Sequence, residues 1–158
     1  MAHLKHIHLV LDLNSGEITG LALPRDAGAT PGAGNSVFGW GAGTLGSSTS
    51  TRFLYAWFDD GLAETNESGF RAPRAGTLKN LHVRHKDPKG NGNNIVYTLR
   101  VAGVDSTVIV TLPSTSLIGS DLVNSIAVSA GDLVSVKVTK ALGIGQSPRN
   151  VTVSAEFE

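Results

Sequence analysis

Between Leu133 and Lys140 the chain reads LVSVKVTK, with Val134, Val136 and Val138 separated by Ser135, Lys137 and Thr139. Alternation with a period of two puts every second side chain on one face of an extended strand, whereas a helix face needs apolar residues three and four apart. The same period recurs along the chain. Ile95, Tyr97, Leu99 and Val101 carry it, as do Val108, Val110 and Leu112, the pair Ile126 and Val128, and finally Val151, Val153, Ala155 and Phe157. No window shows helical spacing, so the crossover helices that a parallel sheet requires have no source. The pattern predicts an all-β chain, an antiparallel β-sandwich of about ten short strands.

Turn residues divide these runs. Ala102-Gly103 separates two alternating segments at hairpin distance, Ala130-Gly131-Asp132 precedes Leu133, and Lys86 to Asn93 is a polar loop that continues neither ladder nor helix. Glycine at 19 residues and charged residues at only 16% fit many strands joined by tight turns. Val37 to Trp40 and Arg52 to Phe58 read as aromatic-rich strands, the second with Phe53, Tyr55 and Trp57 on one face.

The first residues form a separate piece. Ile7, Leu9, Leu11 and Leu13 alternate with His6, His8, Val10 and Asp12, Asn14-Ser15-Gly16 supplies a turn, and Glu17 to Leu23 returns as the second strand of a hairpin. Residues 24–36, PRDAGATPGAGNS, carry few side chains able to pack and read as a linker. The expected organisation is a hairpin arm and linker over residues 1–35 and a sandwich over 36–158.

Composition excludes several functions. The 13 basic and 13 acidic side chains cancel, which leaves no overall field to attract nucleic acid. No stretch approaches the roughly 18 apolar residues of a membrane span. The run Ile7 to Leu13 is broken by His8 and Asp12 and lacks a small-residue cleavage site, so it does not read as a signal peptide. The absence of cysteine removes disulfides, thiolate metal sites and cysteine nucleophiles.

Each motif that suggests chemistry lacks its context. Gly41-Ala42-Gly43-Thr44-Leu45-Gly46 matches GxGxxG, but the run Ser47 to Thr51 that follows is a poor helix, so a glycine-rich turn region is expected. His6 and His8, with His3 nearby, fall short of a zinc ligand set. Asp59, Asp60, Glu64 and Glu67 lack the ordered spacing of a calcium loop. Serine and threonine occur without a GxSxG elbow. His82 and His85 fall on opposite strand faces, the first exposed and the second tucked under the loop. Lys79, Arg84, His85, Lys86 and Lys89, with Arg71 and Arg74 upstream, make a local basic face with only Tyr97 near as a stacking platform, which suits a protein or saccharide rim better than nucleic acid. No enzyme activity, cofactor or metal is expected.

Three segments carry a resemblance: FRAPRAGTLKNL (70–81), YTLRVAGVDST (97–107) and VSAGDLVSVKV (128–138). Together they resemble the trimeric jelly-roll domains of phage head-decoration and fibre-tip proteins. The layout is also similar to the C-terminal domain of spore-surface collagen-like glycoproteins and to the tumour-necrosis-factor jelly roll. The resemblance covers roughly residues 36–158 and implies a homotrimer exposed on a particle surface. Apolar residues left over after one core is filled fit such assembly, and Ile109, Leu117, Ile118, Leu142 and Ile144 are the interface candidates. Ile7, Leu9, Leu11 and Leu13 are candidates for anchoring to a capsid. The resemblance thus implies a virion structural protein, a capsid decoration protein whose partners are its own copies and a major capsid protein. The alternative is a receptor- or glycan-binding tip using Trp40, Tyr55 and Trp57.

Overall fold

The structure, a computed structural model, describes residues 8–11, 18–22, 36–46, 51–59, 61–87, 94–113, 115–140 and 148–158. The chain forms two compact units, Met1–Ala33 and Gly34–Glu158. In the first, β1 (His8–Leu11) pairs antiparallel with β2 (Ile18–Ala22), with a register irregularity between Val10 and Leu11.

The second unit is an all-β sandwich of two antiparallel sheets. Its strands are β3 (Ser36–Thr44), β4 (Arg52–Phe53), β5 (Tyr55–Ala56), β6 (Gly69–Arg71), β7 (Gly76–Arg84), β8 (Ile95–Val101), β9 (Val104–Leu112), β10 (Ile118–Val128), β11 (Leu133–Lys140) and β12 (Arg149–Phe157). One sheet has the order β10-β7-β12-β3-β5. The other runs β4-β11-β8-β9, with β6 also paired to β11. Both sheets turn their alternating apolar residues inward, among them Leu81 and Val83 of β7, Val153 and Phe157 of β12, Leu99 of β8 and Val136 of β11, all buried. The described residues contain no helix.

Three bulges disturb the alternation, one in the β8–β9 pairing between Thr98 and Arg100 and two in the other sheet. In β7 both Leu78 and Leu81 face the core although three residues apart, because Asn80 takes the left-handed conformation (φ 53°) where the β7–β12 register shifts. In β10, Asp121 lies opposite Leu81 and Ser125 opposite Lys79, so four steps along β10 match two along β7. Leu122, Val123 and Asn124 bulge outward as a result. The Asp121 carboxylate fills the bulge by accepting from the backbone N–H groups of Val123 and Asn124, both at 3.1 Å, and from Ile109 of β9 at 3.0 Å. It thereby ties the edge of one sheet to the edge of the other.

Several local expectations change. Arg52 to Phe58 is two short strands in different sheets: β4 pairs with β11 and β5 with β3, and the fully buried Leu54 sits between them. Phe53, Tyr55 and Trp57 therefore do not form one stripe. Gly41 to Thr44, read as a glycine-rich turn, belong to β3. A Cβ on Gly41 would come within 2.7 Å of the Phe58 ring, so the missing side chain is what seats Phe58. Of Leu117-Ile118-Gly119, read as a loop, Ile118 and Gly119 open the strand β10, which extends well before Ile126. The sequence pattern did not reveal β6. There a Cβ on Gly69 would stand 2.1 Å from the Val134 carbonyl oxygen, so only glycine permits the pairing with β11.

Candidate functional site

The residues with chemical potential separate from one another. Among the described residues no group of three histidine or acidic side chains is placed to hold a metal ion. Asp59 accepts from Gly61 N at 2.6 Å, closing its own loop. Glu67 instead accepts from Ser135 Oγ at 2.6 Å and from Arg100 Nε at 2.9 Å, and Arg100 also pairs with Asp105 at 2.6 Å. Asp60 lies outside the described residues. His82 is exposed and His85 is buried against Tyr97, on opposite faces as the alternation predicts.

The two sides of the basic segment also differ. Lys79 forms an ion pair with Glu158 at 2.6 Å, and Glu158 first among its neighbours raises the Lys79 pKa. Arg84 and Lys86 line a shallow hollow of about 240 Å³ with Asn150 and Thr152. No ion-pair partner for Arg84 occurs among the described residues.

These cations lie on the outer face of the β10-β7-β12-β3 sheet. Its residues run in rows across the strands. Ser120, His82, Ser154 and Gly39 stand side by side in one row, and Ile118, Arg84, Thr152 and Gly41 in the next. Most of these side chains are short, and shallow hollows lie among them, of about 270 Å³ around His82, Asn80 and Glu156 and about 260 Å³ around His82 and Ile118. Hollows this open do not enclose a small molecule.

Apolar residues concentrate at both margins of this face. On the β10 side Ile118 is 69% exposed, Leu122 60% and Val123 91%. On the opposite side, beyond β3, Trp57 is 66% exposed, Phe58 51% and Leu62 45%. Trp57 holds a left-handed backbone (φ 64°), a conformation that strains a bulky residue. Its N–H donates to Gly39 O at 2.8 Å, and its ring meets Phe70 edge-on at 5.2 Å.

The interface candidates Ile109 and Leu117 are partly exposed, at 41% and 39%, and Ile118 more fully. Leu142 and Ile144 lie outside the described residues, as do the anchoring candidates Ile7 and Leu13. Leu9 and Leu11 belong to β1, of which only the pairing is described. The structure separates the three aromatic candidates. Trp40 is 2% exposed and part of the core, so it cannot contact a ligand at the surface. Tyr55 is half-buried and donates to Leu62 O at 3.1 Å. Only Trp57 of the three stands out from the surface.

The sequence reading overlooked Phe58, Leu62, Leu122 and Val123. A signal was present for one pair: two adjacent apolar residues in a strand cannot both face the core, so Leu122-Val123 requires either a bulge or an exposed side chain. Compared with known proteins, the chain matches no family model, and no curated protein is significantly similar to it.

Proposed function

We propose that residues 36–158 are a jelly-roll domain that assembles as a homotrimer, and that the protein is a virion structural protein, a capsid decoration protein anchored through its N-terminal segment. The order of the strands supports the jelly-roll reading. Eight strands divide into two sets of four, β10-β7-β12-β3 and β9-β8-β11-β6. Among these eight strands the chain changes set at every step except β8 to β9, the interleaving of a double-sheet jelly roll.

The observation that carries assembly is the apolar surface left outside a filled core, with Val123, Ile118 and Trp57 each more than 60% exposed. Exposed patches of this kind mark interaction surfaces. The particle-surface part of the reading rests on the resemblance of residues 36–158. Anchoring is assigned to residues 1–35 because they lie outside that resemblance and Met1–Ala33 forms a compact unit of its own.

Sedimentation with undecorated capsids tests the function. The protein should pellet with them, and substitution of both Leu9 and Leu11 by aspartate should abolish pelleting while the body stays folded. Failure of the unaltered protein to bind overturns the decoration reading. A second reading, a glycan- or receptor-binding tip, draws on Trp57 alone, an indole presented to solvent at a strained backbone position. Glycan-array binding that disappears with Trp57→Ala in an intact oligomer would support it, and a silent array would remove it.

A further inference from the structure

We propose that copies of this chain join head to tail, the β10 margin of one copy against the Phe58 margin of the next, and that the join closes into a ring. This rests on the self-association reading above and names the surfaces that carry it.

The two apolar margins are unlike and lie on opposite edges of one sheet. The β10 margin is aliphatic and cationic: Ile118 stands opposite Arg84, and Lys86 shares a hollow with Arg84. The other margin is aromatic, and the exposed Asp59 follows Phe58 directly. A join of like margins around a twofold axis would set Arg84 and Lys86 against their own copies. Joining unlike margins brings the cations to Asp59 and lets the aliphatic side chains meet the aromatic rings.

Height along the strands decides between a ring and a filament. Ile118 pairs with Arg84, Arg84 with Thr152, and Thr152 with Gly41, over which Phe58 is seated. Ile118 and Phe58 therefore occupy one row perpendicular to the strands. With the rotation axis parallel to the strands these two residues meet without any rise, and such a join closes when the rotation is a whole fraction of a turn, a third for the homotrimer proposed above. A vertical offset between the margins would generate a helical filament instead. Both margins are firmly built, since Asp121 fixes the β10 bulge by hydrogen bonds and Gly41 provides the recess under Phe58.

The absence of cysteine allows a direct test. Ile118→Cys and Phe58→Cys, introduced into the same chain, should give a covalent closed trimer with a short bis-maleimide on a denaturing gel. The two single variants mixed should yield covalent dimers and nothing larger, and each single variant alone should remain uncrosslinked. Efficient crosslinking of Ile118→Cys to itself would overturn the head-to-tail arrangement. So would absence of crosslinks in a double variant that light scattering shows to be oligomeric. A monomer of the unaltered chain by light scattering would instead defeat the self-association reading on which this inference stands. Because Phe58 covers Gly41, Val123→Asp serves as a second variant: the side chain is almost wholly exposed, so the fold does not depend on it, yet assembly should weaken at least about tenfold. Unchanged assembly of Val123→Asp counts against the proposal.

Discussion

His85 and Tyr97 share a hydrogen bond inside the sandwich, imidazole Nε2 to phenol oxygen, with ring centroids 5.6 Å apart. His85 is 3% exposed and Tyr97 is completely buried. Burial lowers the imidazole pKa from 6.5 to about 4 and raises that of the phenol well above 10, so both groups are neutral at pH 7.

Acid should therefore destabilise the body through His85. Between pH 6.5 and 4 the unfolded chain binds a proton that the folded chain refuses, so stability is complete above pH 6.5 and falls as the pH drops. A change from 6.5 to about 4 corresponds to about 3 kcal/mol. Urea unfolding at pH 7 and pH 4.5 should show this loss in the native chain and a smaller one in His85→Gln, which keeps a polar partner for Tyr97 but does not titrate. Equal losses in the two proteins would assign the acid sensitivity elsewhere.

Asp121 should act in the same direction, but at lower pH. Burial raises its pKa, but the hydrogen bonds from Asn124, Ile109 and Val123 outweigh burial and hold the carboxyl below its usual value. Its contribution is present above about pH 4 and disappears as the pH falls below that. Asp121→Ala leaves three backbone N–H groups without this acceptor and should cost about 2–3 kcal/mol at pH 7 by denaturant unfolding. A cost under 0.5 kcal/mol, ordinary for a surface substitution, would mean that the bulge does not need the carboxylate.

The two tryptophans should respond very differently to truncation. Trp40→Ala empties part of the core and should cost about 3–5 kcal/mol. Trp57→Gly loses an edge-on contact with Phe70 but relieves a left-handed backbone, so thermal unfolding of the isolated subunit should change by less than about 1 kcal/mol. Comparable losses at the two positions would show that Trp57 is a structural residue of the subunit.

The β8–β9 turn should accept improvement. Ala102 (φ 51°) and Gly103 (φ 79°) both lie in the left-handed region, the geometry in which Asn-Gly is favoured. Ala102→Asn should raise stability by about 0.5–1 kcal/mol in a denaturant titration. A loss of stability would indicate that the alanine side chain makes a contact worth more than the backbone strain.

Much of the fold was legible because one physical rule, alternation against a single core, acts locally. It located β8, β9, β11 and β12 and predicted the faces of His82 and His85. The rule fails where the chain departs from it. Leu54 shifts the chain between sheets, Asn80 and Asp121 insert bulges, and Gly69 permits a pairing that no apolar pattern announces. The candidate surface was less legible. Ile118 was found, whereas Phe58 was not, because its exposure depends on a recess supplied by a glycine far from it in the chain.

By itself the sequence determined the all-β class, the turns and most inward-facing positions, since period and turn chemistry are properties of neighbouring residues. Only the tertiary structure decided that Trp40 is core while Trp57 is surface, and that Ile118 and Phe58 share a row across one sheet. Those facts depend on register between strands distant in sequence, which each hydrophobic pattern constrains for its own strand alone.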